Sequence, residues 1–258
     1  MEFTKSNESS NEVLPRLRAG RALAVLVIFI GFQIVSSSFI AFLYRLVWIL
    51  QGNDLQNSVI ISEMMLEMKA FSLVGAELFS SIAIIILCSL WFGETLHSKL
   101  PEGGAWRFGA SNFIAEGLLA GIMLAALYLL TNALFAPPKI SLGPIAEMAV
   151  TPGSQQLAWS ILAVLLAPFI EELLFRGVIF AGFCRSWGML WAIIVSTLVF
   201  VLLHLSEMIY FWPSAIFVSG MALLALWLRL KAQAIGPAVA IHFAYNGILA
   251  ISVTGATL

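Results

Sequence analysis

Apolar runs long enough to cross a bilayer recur along this sequence, and they constrain its fold more than any other feature. The first, residues 22–44, has 23 residues, where a spanning helix needs about 20. Further runs cover 71–92, 113–135, 155–186, 189–205, 211–228 and 236–253. Inside lipid every backbone polar group must be satisfied within the segment, so such runs fold as helices. Composition agrees: 61% of residues are hydrophobic and 10% charged, against roughly 25% charged in soluble domains. The expectation is an all-α, polytopic transmembrane helix bundle of seven spans, or eight if 155–170 crosses separately. The chain divides into a polar tail (1–20), a three-helix transmembrane extension (21–154) and a transmembrane core (155–258).

The tail carries Lys5, Arg16 and Arg18 and reads as a disordered cytoplasmic extension. The run after it exceeds a signal-peptide core and ends without a cleavage site. Residues 45–70 read as a polar connection with a turn at Gly52-Asn53-Asp54 and an exposed helical lead-in marked by Glu63, Glu67 and Lys69, and 136–154 as a loop broken by Gly and Pro. With seven spans, ten Lys and Arg fall on the side of the tail and three (Arg45, Lys69 and Lys139) on the other. That is a positive-inside bias, with Arg176 discounted if it is buried. The eight-span alternative moves Arg185, Arg229 and Lys231 across and removes most of the bias. Seven spans place the site toward the outer half; eight place it toward the cytoplasmic half. The composition points to an integral protein of a bacterial plasma membrane, its N-terminus cytoplasmic and its surroundings the lipid bilayer. No basic patch indicates nucleic acid. Cys88 and Cys184 lie far apart within apolar runs and read as small buried residues, not a disulfide or a metal cluster.

Against this apolar background one stretch stands out, Pro168-Phe169-Ile170-Glu171-Glu172-Leu173-Leu174-Phe175-Arg176-Gly177. An intramembrane charge costs about 2.5–3.5 kcal/mol on insertion scales, so its default reading is a functional site. On a helix, Glu172 and Arg176 stand four residues apart and pair, while Glu171 points about 100° away and stays free. The plainer reading is a buried ion pair that locks two helices together. Glu77, alone in the second run, reads mainly as a solvated or hydrogen-bonded carboxylate near a helix end. His97 reads as a surface histidine, and Trp106-Arg107-Phe108-Gly109 as an interfacial anchor. Gly117 and Gly121 have the small-xxx-small spacing of close helix contact.

The other two histidines lie in late apolar runs. Phe200 and His204, like His242 and Asn246, are four apart and share a helix face. Glu171 and His204 are each about 16 residues, or about 24 Å, from a turn at Trp187-Gly188, and so reach the same depth. Asn246, about 22 Å from a turn near Lys231, reaches it too, with His242 one helical turn shallower.

Together these three motifs, Glu171-Glu172-x-x-x-Arg176, Phe200-x-x-x-His204 and His242-x-x-x-Asn246, resemble those of the CAAX-protease and bacteriocin-processing (CPBP) family. That family includes the Ras-converting prenyl-protein endopeptidases. The resemblance covers about residues 160–250. Twelve residues follow Asn246, leaving no room for the further helix that some relatives have. The resemblance implies an intramembrane endopeptidase whose active site lies within the bilayer and whose substrate is a membrane-associated protein or peptide, prenylated or not. It implies that Glu171 and His204 activate water, that His242 and Asn246 form the oxyanion hole, and that Glu172, Arg176 and Phe200 support them. The chemistry is consistent: hydrolysis needs a base, and a tetrahedral oxyanion needs donors, here a neutral His and an Asn amide. No cofactor is needed. Zinc on Glu171, His204 and His242 is the alternative, but the H-E-x-x-H spacing is missing and Asn is a poor zinc ligand. A non-catalytic reading, a bacteriocin self-immunity factor or a scaffold, keeps the same fold. A proton-coupled transporter would show related halves with paired broken helices, and no such symmetry is visible.

Overall fold

The computed structural model describes residues 17–52, 58–135, 148–151 and 153–257. Every regular element among them is helical. In chain order these are α1 (Ala19–Leu50), α2 (Ser58–Phe92, ending in a 3₁₀ turn, Gly93–His97), α3 (Ser111–Phe135), α4 (Ser154–Trp187), α5 (Met189–Leu203), α6 (Leu205–Tyr210), α7 (Ser214–Ala232) and α8 (Gly236–Thr257). The tail up to residue 16, residues 53–57 of the expected turn and most of the 136–154 segment lie outside the described residues.

Among the described residues, six helices are long and apolar enough to cross a membrane. The seventh expected span, α5, has 15 residues, about 22 Å, and falls short of a full crossing. Residues 154–187 form one continuous helical path, with no turn to set 155–170 apart as a separate crossing. Pro168 does not break it. A proline removes one backbone donor and crowds the carbonyl four residues back. Here the helix widens to π-type over Ile161–Leu166 and again over Leu173–Ile179, which absorbs the mismatch without ending the helix.

The polar connection is shorter than its composition suggests. α1 continues to Leu50 and α2 starts at Ser58. Charged residues such as Glu67 belong to its solvated helical lead-in, which extends the second helix outward. The two helices form an antiparallel hairpin: Tyr44 Oη donates to Glu67 Oε2 at 2.6 Å and Gln33 Nε2 to Glu77 Oε2. α3 packs along α8 through Gly117 and Gly121. A Cβ at either would collide with the α8 backbone, at the Pro237 and Ile241 carbonyls respectively.

The segment between α2 and α3 closes one end of the bundle. Ile235 N–H donates to the Ala105 carbonyl at 3.0 Å and Gly236 N–H to that of Arg107 at 3.1 Å. The Arg229 guanidinium, 1% exposed, donates to the Pro101 carbonyl at 3.2 Å and to that of Gly103. At the same end, Ala19 N–H donates to Ser186 Oγ at 2.9 Å and ties the start of α1 to the end of α4. Gly177 lets the Trp106 indole lie against α4 immediately after Arg176, so Trp106 is an internal contact more than a lipid anchor. His97 is exposed, its Nδ1 3.1 Å from the Trp106 carbonyl. Cys88 is buried and Cys184 half-buried, both unbridged.

Candidate active site

The motif residues of α4, α5 and α8 converge in the interior. The first group they form is closed. Glu172 is fully buried and Arg176 2% exposed. Arg176 Nε lies 3.0 Å from Glu172 Oε2. It is an ion pair rather than an aligned hydrogen bond, since Glu172 Oε2 receives no donor. Arg176 Nη2 donates to the Ala222 carbonyl of α7 at 3.2 Å, and His242 Nδ1 stands 3.1 Å from Glu172 Oε1. The i,i+4 spacing brings Arg176 to Glu172, and burial of both forces the pairing.

The second group is open. Glu171, on the next position of the same helix, has a side chain 22% exposed. Its Oε2 lies 3.7 Å from His204 Nε2 and 3.9 Å from His242 Nε2, and no hydrogen-bond donor engages it. These gaps exceed a hydrogen bond, and because Oε2 itself is buried, the exposure of the side chain lies at its other atoms.

The partners of the two rings fix what each presents. His204 Nδ1 is 2.8 Å from the Phe200 carbonyl, which only accepts, so that nitrogen carries the proton. His242 Nδ1 likewise faces the carboxylate of Glu172. Each ring, when neutral, therefore turns a bare Nε2 toward Glu171. His204 is thus set to take a proton. Donation from His242 Nε2 requires a proton on that nitrogen as well.

Phe200, completely buried, holds the groups in register. Its ring stacks on His204 at 4.4 Å, carries the Arg176 guanidinium at 4.3 Å, and meets Phe175 edge-on at 5.1 Å and His242 at 6.0 Å. Stacked and cation–π contacts of this kind add about 0.5–2 kcal/mol each.

Asn246 is displaced from the expected level. His242, not Asn246, lies level with Glu171, and Asn246 stands one turn further along α8, its Nδ2 donating to the Ala163 carbonyl at 2.7 Å. The reason is where α8 begins: Gly236 is buried beneath residues 105–107, so equal counts from the two turns do not give equal depth. The second N–H of the Asn246 amide remains available.

Glu77 is central rather than terminal on α2, since α2 begins at Ser58. It is 8% exposed and accepts from Gln33 and, at 3.3 Å, from Ser81 Oγ. Its hydrogen bonding matches the expectation from sequence; its place beside α4 was not legible there. The Ala163 and Ala222 carbonyls and the Trp106 contact were equally out of reach, because their side chains carry no chemical signal. Among the described residues, no group of three His, Cys, Asp or Glu is arranged to hold a metal ion.

Comparison with known proteins adds one match. Residues 153–248 fit the family model described as type II CAAX prenyl endopeptidase, Rce1-like. No curated protein and no solved structure matches the chain. The matched stretch contains all seven residues of the three motifs.

Proposed function

We propose that this chain, an integral membrane protein that belongs through residues 153–248 to the Rce1-like CAAX-protease family, is an endopeptidase acting on a membrane-associated peptide. The observation that carries the reading is Glu171, partly exposed and facing two imidazole nitrogens, beside a fully buried Glu172 that is held by the Arg176 ion pair and by His242. A water held by Glu171 loses its proton as it attacks the scissile carbonyl, and the carboxylate takes that proton, with His204 Nε2 within reach to share it. The tetrahedral oxyanion receives the free N–H of Asn246 and, from the imidazolium form, Nε2–H of His242. The proton then passes to the leaving amine.

Glu172 and Arg176 hold His242 in place, and Phe200 holds His204. Catalysis is metal-independent in this reading, with zinc on Glu171, His204 and His242 as the competitor. The substrate is prenylated or a plain membrane peptide, and the N-terminus lies on the cytoplasmic side of a bacterial membrane. The test is cleavage of quenched membrane peptides by purified wild type and Glu171→Gln, before and after exhaustive chelation with metal analysis. Cleavage that needs Glu171 and survives chelation is the expected result. Stoichiometric zinc whose removal stops turnover overturns the metal-independent step. Equal cleavage by Glu171→Gln overturns the protease and leaves an immunity factor or scaffold of the same fold.

A further inference from the structure

We propose that Glu77, supplied by the α1–α2 hairpin outside the Rce1-like segment, is a substrate-binding residue that accepts a backbone N–H of the bound peptide close to the scissile bond. The inference rests on the endopeptidase reading.

Burying a carboxylate at the middle of a spanning helix is costly and calls for a use. Glu77 stands at the twentieth residue of the 35-residue α2 and is 8% exposed. A carboxylate offers about four lone-pair positions. Gln33 Nε2 fills one on Oε2, and Ser81 Oγ one on Oε1. Both donors are neutral and both hold the group in one orientation, leaving about two positions unfilled.

The location is set by two contacts. α2 packs on Ser154–Leu166 of α4, the stretch whose Ala163 carbonyl holds Asn246. The Glu77 carboxylate also lies within electrostatic reach of Glu171. It therefore lies on the hairpin side of the α4 stretch that carries the motif residues.

A peptide drawn into an apolar site brings N–H groups that must find acceptors, because no bulk solvent satisfies them. The motif residues are poor in acceptors. Arg176 and the Asn246 amide nitrogen donate, Glu172 is taken by Arg176 and His242, Glu171 and His204 Nε2 are committed to the water, and His242 serves the oxyanion, so that only the Asn246 carbonyl oxygen is left to accept. Glu77 supplies what they lack, and Gln33 and Ser81 keep it aimed.

The test pairs enzyme and substrate changes. The probe is a quenched membrane peptide cleaved by wild type but not by Glu171→Gln, together with analogues in which one amide at a time, across the positions flanking the cleaved bond, is replaced by an ester that lacks the N–H. Glu77→Leu should lower kcat/KM on the all-amide probe by about 10- to 100-fold, mainly through KM. One ester analogue should lose a similar factor with wild type and nothing further with Glu77→Leu. Thermal unfolding in detergent checks that the variant is folded. If Glu77→Leu fails to accumulate, Gln33→Glu/Glu77→Gln, which keeps the interhelical hydrogen bond and moves the carboxylate to α1, takes the same test. Equal losses on every ester analogue in wild type and variant overturn the inference and leave the protease intact. If no peptide is cleaved in a Glu171-dependent manner, the endopeptidase reading falls, and this assignment with it.

Discussion

Glu171 and Glu172 are neighbours on one helix, yet they sit in regions of opposite character. Around Glu172 the structure is sealed: the carboxylate is fully buried between the Arg176 guanidinium and the His242 ring. Around Glu171 it is more open: the side chain is 22% exposed and faces the Nε2 atoms of His204 and His242 at 3.7 and 3.9 Å, and among the described residues no Arg or Lys pairs with it at salt-bridge contact. Identical chemistry thus acquires two roles from a rotation of about 100°. The sealed region holds geometry at the expense of reactivity. The open one keeps its lone pairs for a reactant.

Substitutions that act on one region and spare the other sharpen this contrast. The largest effect on turnover outside Glu171 is expected from His204→Ala, which removes the proton acceptor on the open side. Cleavage should fall by about 100- to 10,000-fold, with little change in melting temperature. On the sealed side, Glu172→Gln leaves the Arg176 charge buried without its partner, and breaking such pairs costs about 3–5 kcal/mol. Its melting temperature should fall clearly, and cleavage with it, because His242 loses its anchor. The double replacement Glu172→Leu/Arg176→Met removes both charges together and should recover most of that stability without recovering cleavage. Recovery of turnover in that variant would show that the sealed network does not position His242.

Smaller effects lie further out. Gly121→Leu forces a side chain into the α8 backbone at Ile241 and should destabilise by about 1–3 kcal/mol, read by unfolding in detergent. Phe200→Leu removes the stack on His204 and the Arg176 contact and should cost about 0.5–2 kcal/mol. It should also lower cleavage by loosening the His204 ring.

The meeting of the motif residues was largely legible in the sequence, because charge within apolar runs is conspicuous and i,i+4 spacing converts directly into a shared face. The pairing of Glu172 with Arg176 follows from that spacing, and the meeting of Glu171 with His204 from their equal distances to the Trp187-Gly188 turn. Other features were not legible for definite reasons. The charged residues at 63–69 read as an exposed lead-in to a run that starts at Phe71, whereas α2 begins as early as Ser58, and this misplaced Glu77 near a helix end. The depth of Asn246 was misjudged because burial of Gly236 under Ala105 and Arg107 depends on backbone hydrogen bonds that no side chain announces. Nothing in the sequence marks the two π-widened stretches that carry the helix through Pro168. α5 stops at Leu203, with His204 at the turn into α6, and composition does not mark that stop.

The division of labour between the adjacent carboxylates is tested most directly by measuring thermal unfolding and peptide cleavage on the same preparations of wild type, Glu171→Gln and Glu172→Gln. Glu171→Gln should unfold within about 2 °C of wild type, about 0.5–1 kcal/mol, and show no cleavage. Glu172→Gln should unfold at a markedly lower temperature. The reverse pattern, a destabilised Glu171→Gln that still turns over beside a stable Glu172→Gln that does not, would contradict the assignment of Glu171 to chemistry and Glu172 to the scaffold.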